Sequence, residues 1–305
     1  DLDMDGVPDL LVFDRSGDRI LPFCYAGPAG TTNYVYAPQY RDRFPPLRNW
    51  VQFADYDGDG KVDLFAQRAP GIAVYRNTST PATGLAFTLV TPLLRRSFNG
   101  AVNTLVASAR DLPAFADIDE DGDIDLLQFD VAGSHEAYYQ NQSIGVDGHP
   151  DSLVFELVET CWGGFMENGL SNEVMLQVGC KDQGTGGRDQ GTGDGERRHA
   201  GSTLLAVDLD GDLDKELIIG DLGFSTLVLL PNGGTPLFAE MTAQNPLFPG
   251  NPPVNLPVFP AAFSLDFDHD GLMDLLVSPN APNISENRFS SWWYRNTGSA
   301  DSASF

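Results

Sequence analysis

Five acidic nonapeptides constrain this chain more than any other feature. They are Asp1 to Asp9 (DLDMDGVPD), Asp55 to Asp63 (DYDGDGKVD), Asp117 to Asp125 (DIDEDGDID), Asp208 to Glu216 (DLDGDLDKE) and Asp266 to Asp274 (DFDHDGLMD). Each sets carboxylates at positions 1, 3, 5 and 9, and like charges that close repel one another unless a cation sits among them. All-oxygen donors on a flexible loop suit Ca²⁺, which accepts roughly six to eight oxygens. The alternative, five solvated acidic turns, has to explain one register kept five times.

The spacing assigns ligands position by position. Side-chain oxygens are expected from Asp1, Asp3, Asp5 and Asp9 in loop 1, from Asp55, Asp57, Asp59 and Asp63 in loop 2, and from Asp117, Asp119, Asp121 and Asp125 in loop 3. Loop 4 would use Asp208, Asp210, Asp212 and Glu216, and loop 5 Asp266, Asp268, Asp270 and Asp274. The backbone carbonyl at position 7 completes each set, from Val7, Lys61, Asp123, Asp214 and Leu272. A glycine at position 6, such as Gly122, permits the sharp turn round the ion. Loop 4 has Leu213 there and is expected to be the weakest site.

These loops are not EF-hands. An EF-hand needs a bidentate Glu at position 12 and flanking helices, and here position 12 is Val12, Ala66, Gln128, Ile219 or Val277. Each loop instead runs into a short, bounded, mostly apolar segment (LLVF, LFAQ, LLQF, LIIG, LLVS), which reads as buried strand. A second, aromatic-rich strand ends in Asn or a similar turn residue: GIAVYRN, HEAYYQN, STLVLLPN and SWWYRN. A third carries a Phe near Phe87, Phe155, Phe238 and Phe305, and a fourth (WVQF, STLLAV, AAFSL) precedes the next loop. Four strands per repeat, at intervals of 54, 62, 91 and 58 residues, predict an all-β protein, a β-propeller of four-stranded blades. We expect one propeller domain over residues 1–305, with about five blades in this sequence and seven in the full protein.

The 91-residue interval holds an insertion at about 161–199. Its second half, KDQGTGGRDQGTGDGERR, has no apolar residue and cannot offset the entropy of its own ordering, so it reads as a flexible loop. Its first half carries Cys161 and Cys180, which either form a disulfide or stand as two buried thiols; we expect the disulfide, worth about 3 kcal/mol on the loop-entropy account. Cys24, in a strand of the first repeat, reads as a core residue.

Charge and hydropathy exclude several classes. A formal net charge of −25 and a pI near 4.2 argue against nucleic acid and anionic membranes as partners. No apolar run reaches the about 18 residues of a membrane span. No signal peptide is present and Asp1 already lies inside a loop, so a processed or partial piece of a longer product, incomplete at both ends, is expected.

The DxDxDGxxD loops, each followed by an apolar strand and then by YRN or YRNTG (Tyr75 to Asn77, Tyr294 to Gly298), resemble the FG-GAP or VCBS repeats of integrin-α-like propellers. Longer stretches, FDRSGDRIL, RHAGSTLLAVDLDGD and SWWYRNTG, are similar to secreted Bacteroidetes surface proteins that carry such propellers with a sorting domain for type IX secretion. The resemblance implies Ca²⁺ at the loops and an extracellular or cell-surface address. It does not fix an activity.

Chemistry outside the loops is sparse. Of the four histidines, His135, His149, His199 and His269, the last should point to solvent, and His199 near Ser202 lacks the orienting group and oxyanion donors of a nucleophile–base pair. No P-loop, HExxH or GxSxG motif occurs. The expectation is a non-enzymatic surface module for adhesion, interaction or assembly, with a protein or glycan partner and self-association as a further mode. The alternative is a carbohydrate-binding or carbohydrate-cleaving propeller that stacks sugars on Trp292, Trp293, Tyr138 and Tyr139.

Overall fold

Every strand that follows an acidic loop is apolar at consecutive positions, and a pleated strand sends consecutive side chains to opposite faces. Such a strand is stable only where both faces are covered. The computed structural model, which describes residues 1–129, 135–178, 201–283 and 290–305, shows how this is met after loops 2 to 5, whereas after loop 1 Val12 is 40% exposed.

The first sheet contains β1 (Leu10–Asp14), β2 (Arg19–Tyr25) and β3 (Tyr34–Tyr36). The second runs in chain order through β4 (Val51–Ala54), β5 (Asp63–Arg68), β6 (Gly71–Asn77) and β7 (Phe87–Thr91). A hairpin of β8 (Arg95–Phe98) and β9 (Ala101–Thr104) precedes the third sheet. That sheet has β10 (Ala114–Ala116), β11 (Asp125–Phe129), β12 (Glu136–Asn141) and β13 (Phe155–Glu159), and the hairpin extends it by a parallel pairing of β8 with β13. A small hairpin comes next, β14 (Phe165–Glu167) with β15 (Val174–Leu176). The fourth sheet is β16 (Ser202–Val207), β17 (Glu216–Asp221), β18 (Leu227–Leu230) and β19 (Asn245–Phe248). The fifth is β20 (Pro260–Leu265), β21 (Asp274–Pro279) and β22 (Trp292–Tyr294).

The five sheets are the blades of a β-propeller, and the side-chain alternation is what binds them. In β5, Leu64 and Ala66 pack toward the first sheet with Ile20 and Leu47, while Phe65 between them packs toward the third with Leu126 and Tyr139. In β11, Leu126 faces back and Leu127 and Phe129 face forward to Leu204 and Leu217. In β17, Leu217 and Ile219 face back while Ile218 meets Ala262 and Leu275 of the fifth sheet. Burying each such side chain contributes about 1.5–3 kcal/mol, so the inter-blade layers carry most of the stability.

The inner strands touch in turn, β4 with β10, β10 with β16 and β16 with β20. Leu112, just before β10, exchanges backbone hydrogen bonds with Ser202 and Leu204 of β16, both at 2.9 Å. The first sheet also meets the fifth. Gly30 N–H donates to the Asp268 carbonyl at 2.7 Å, Tyr34 Oη to the Phe267 carbonyl at 3.1 Å and Asn283 N–H to Ser16 Oγ at 2.8 Å.

Three details differ from the sequence expectations. The strand before each of loops 2 to 5 pairs with the strand after it (Val51 opposite Ala66, Val207 opposite Glu216), so those four sheets straddle their loops and are offset by one strand from the sequence repeat. The segment around Phe238 is a turn, held by the Thr235 and Phe238 backbone bonds at 2.9 Å, and the outer strand comes later, at β19. His269 does not point to solvent: its ring lies 3.8 Å from that of Tyr25 and Nε2 is 3.1 Å from Tyr34 Oη, at the junction of the fifth and first sheets.

Residues 161–178 of the insertion form a buried turn at Trp162 and the β14–β15 hairpin, with Phe165 and Val174 packed on the layer between sheets three and four. Cys161 is disulfide-bonded; Cys180, its expected partner, and the Gly-rich stretch expected to be flexible lie outside the described residues. Cys24 is a free, half-buried thiol on β2, not a core residue. Tyr138 and Tyr139 are buried in inter-blade layers, whereas Trp293 is 39% exposed.

Candidate metal centres in five acidic loops

Loops 2 to 5 each leave an inner strand, turn back and start the next strand at position 9, loop 1 leads into β1 at Leu10, and two left-handed residues make the turn in every loop. Position 6 has positive φ in all five loops: Gly6, Gly60, Gly122, Leu213 and Gly271. Leu213 holds φ +79° where the others have glycine, so loop 4 keeps the same path at a steric cost. Position 4 is left-handed as well, at Met4, Gly58, Glu120, Gly211 and His269, which sequence reading missed because three of the five carry an ordinary side chain.

The turn aims backbone N–H groups at the first carboxylate. The N–H of Gly6, Gly60, Gly122 and Gly271 donates to position 1 of its loop at 2.8–3.0 Å, and Leu213 N–H to Asp208 at 3.1 Å. Position 7 turns its N–H onto the position 5 carboxylate at 2.8–3.1 Å in every loop, from Val7, Lys61, Asp123, Asp214 and Leu272.

The ninth residue is set apart from the rest. Asp63, Asp125, Glu216 and Asp274 are buried, Asp9 half-buried. One oxygen accepts the N–H of position 2 (Leu2, Tyr56, Ile118, Leu209, Phe267) at 2.6–3.3 Å. The other accepts the N–H at the end of the second strand after the loop, from Tyr25, Asn77, Asn141 and Asn296 at 2.6–2.8 Å. The asparagine side chain then donates to the carbonyl at position 8, as Asn77 does to Val62 at 3.1 Å and Asn296 to Met273 at 3.3 Å. Position 9 therefore also latches the loop to its sheet.

In each loop three carboxylates bring oxygens within 4.8 Å of one another: Asp1, Asp3 and Asp5; Asp55, Asp57 and Asp63; Asp117, Asp119 and Asp125; Asp208, Asp210 and Glu216; Asp266, Asp268 and Asp270. Such clusters can hold a metal ion. Among the buried oxygens, Asp268 Oδ1, Asp123 Oδ1 and Asp214 Oδ1 have no hydrogen-bond partner, and an orphaned buried carboxylate oxygen is costly. Burial pushes Asp63, Asp123 and Asp214 up to about 6, Glu216 to about 7 and Asp125 to about 8, with neighbouring loop carboxylates pushing the same way. All-oxygen donors, orphaned oxygens and disfavoured negative charge together fit a hard divalent cation. The chain's own cations reach only part of this charge. Arg76 Nε lies 2.5 Å from Asp57, and Arg295 Nε and Nη2 lie 2.7 and 2.8 Å from Asp268 and Asp270.

Outside the loops, Ser202 Oγ donates to Glu167 Oε1, and His199, considered as its base, lies outside the described residues. His149 pairs with Asp151 on the surface. Among the described residues, no helix is long and apolar enough to cross a membrane.

The fold and its loops define a five-bladed β-propeller with an acidic loop in each blade. Residues 55–127, from the second loop into the strand after the third, match the FG-GAP-like repeat family. No curated protein matches the chain. Among the solved structures that resemble it are the following three. The Photorhabdus luminescens Tc holotoxin pore is 16% identical at a TM-score of 0.42, over 96% of this chain and 11% of that one. A TcdB2-TccC3 structure is 14% identical at 0.41, over 96% and 14%. An Agrocybe aegerita lectin that recognises non-reducing terminal N-acetylglucosamine is 14% identical at 0.38, over 90% and 58%. The chain thus spans less than two thirds of each.

Proposed function

We propose that this chain is a non-enzymatic, extracellular calcium-binding β-propeller that serves in cell-surface adhesion, interaction or assembly. The observation that carries the calcium reading is the buried Asp268 Oδ1, which has no partner inside the Asp266–Asp268–Asp270 carboxylate cluster. The bound ion supplies the positive charge that lets these groups stay ionised. Asp1, Asp55, Asp117, Asp208 and Asp266 would be held for it by the turn N–H groups, and Asp9, Asp63, Asp125, Glu216 and Asp274 by the latch. Extracellular calcium is abundant enough for loops of this kind, and the acidic surface suits a protein or glycan partner better than nucleic acid. The sugar-stacking alternative keeps Trp293 but loses Tyr138 and Tyr139, which are buried.

Melting the protein in EDTA and then with added calcium tests the reading. Calcium that binds only the folded form should raise Tm by many degrees, by mass action. Identical melting in chelator and in millimolar calcium would rule it out. A glycan array and digestion of polysaccharides separate a lectin or an enzyme from an adhesion module.

A further inference from the structure

The five loops are alike in path, but the side chain that lies over positions 3 and 5 differs from loop to loop. It comes from one fixed place, the residue before the strand-end backbone N–H that binds position 9. In loop 2 that residue is Arg76, with Nε 2.5 Å from Asp57 and Nη2 3.6 Å from Asp59. In loop 5 it is Arg295, at 2.7 and 2.8 Å from Asp268 and Asp270. In loop 3 it is Gln140, whose Nε2 donates to Asp119 Oδ2 and brings no charge. Loops 4 and 1 have the uncharged Pro231 and Cys24 there.

We propose that this residue sets how tightly each loop takes its cation: Arg76 and Arg295 are built-in, displaceable counter-cations that weaken loops 2 and 5, and loop 3, where Gln140 brings no charge, binds more tightly than either. The inference rests on the calcium reading above. A divalent ion entering loop 2 or 5 must replace a guanidinium already paired with a carboxylate whose side chain is 1% exposed. The arginines can leave, because their own side chains are 44% and 46% exposed. Loop 2 also carries Lys61, 2.6 Å from Asp59, so two cations face its four ligand carboxylates. Loop 3 sets five aspartates and Glu120 against Gln140, and Lys215 pairs with Glu120, which is not among the expected ligands. A positive charge held beside a cation site opposes binding, and removing it favours binding. The same arginines keep loops 2 and 5 partly neutralised without metal, so those loops should hold their shape in chelator better than loop 3.

Calorimetric titration of the EDTA-stripped full chain with CaCl₂, with Tb³⁺ luminescence to count sites, tests this. The wild type should bind in a tight and a weak class. Arg76→Gln and Arg295→Gln should each move one ion from the weak class to the tight one, an affinity gain of about tenfold. Gln140→Arg should move one ion the other way by a similar factor, and Arg76→Lys, which keeps the charge, should stay near wild type. In chelator, Arg76→Gln should melt below the wild type, while Gln140→Arg should not. Calcium binding with class sizes and affinities unchanged in all three charge variants would overturn the inference and leave the calcium reading standing. A wild type that binds no calcium at millimolar concentration would overturn both. Should Arg76→Gln fail to fold, Gln140→Arg, which adds a charge at a partly exposed position, decides alone.

Discussion

The backbone N–H of Asn141 meets Asp125 Oδ1 at 2.7 Å, joining the end of β12 to the last residue of the third acidic loop. Asp125 is fully buried, and its other oxygen accepts Ile118 N–H at 3.0 Å and Tyr138 Oη–H at 2.9 Å. A residue chosen by its charge pattern as a metal ligand is thus also the acceptor for three buried donors.

Replacing Asp125 with Ala should therefore destabilise the protein even in chelator. Three buried donors lose their acceptor at once, which costs on the order of 3 kcal/mol. The same change at Asp9, which is half-buried and accepts two backbone donors, should cost about 1 kcal/mol. Urea denaturation in EDTA compares the two; equal losses would show that burial of the latch is not what matters.

Loop 4 gives a prediction of opposite sign. Leu213 occupies a left-handed conformation with its side chain 55% exposed, so it bears backbone strain and gains little packing. Leu213→Gly should stabilise the protein by about 1 kcal/mol and raise the metal affinity of that loop. Unchanged or lower stability would mean that the leucine makes a contact worth more than the strain.

The contrast between these residues explains how far the sequence could be read. Carboxylate spacing is local and periodic, so the loops, the strands after them and the radial repeat were legible. So was the departure at Leu213, although its consequence is strain within an unchanged path. The offset of four of the sheets from the sequence repeat was not, because pairing of β4 with β5 across a loop leaves no trace in either strand's pattern. Left-handed Met4, Glu120 and His269 were hidden because nothing in an ordinary side chain announces positive φ. Arg76, Gln140 and Arg295 read as strand residues; only the fold sets them over a loop 19 to 27 positions earlier, measured from its third residue. The contact of His269 with Tyr25 and Tyr34 spans more than 230 residues and depends on the ring bringing the fifth sheet to the first.

Close approach of blades makes Gly220 sensitive. A Cβ there would lie 1.9 Å from the Pro260 carbonyl oxygen of β20 and 2.7 Å from Thr203 Oγ1. Gly220→Ala must therefore push the fourth and fifth sheets apart, against the Thr203 Oγ1 bond to that same carbonyl at 2.7 Å, and should cost several kcal/mol, about 3 or more. Gly60 has a φ of +84° but open space around it, with nothing within 4 Å of where a Cβ would stand, and should lose only about 1 kcal/mol as Ala. Thermal melts in calcium that rank the two the other way would contradict the close packing of the blades.

The pH dependence of stability should reverse with metal. Burial lifts Asp63, Asp123 and Asp214 to about 6, Glu216 to about 7 and Asp125 to about 8 in the folded chain, while carboxylates of an unfolded chain titrate near about 4. The folded form therefore holds more protons than the unfolded form across that window. Stability drawn from protonation is complete below about 4 and is lost as pH rises through 6 to 8. Mutual repulsion in a chain of net charge −25 acts in the same direction. In EDTA, Tm should fall steadily from pH 5 to pH 8.5, and Asp125→Asn should flatten the upper part of that fall. In saturating calcium the ion competes with the protons for the oxygens of Asp63, Asp125 and Glu216, so Tm should hold or rise over the same range. Scanning calorimetry at half-unit steps checks both curves, and a metal-free Tm that climbs between pH 5 and 8 would mean that these carboxylates carry their charge in the folded protein without help from a cation.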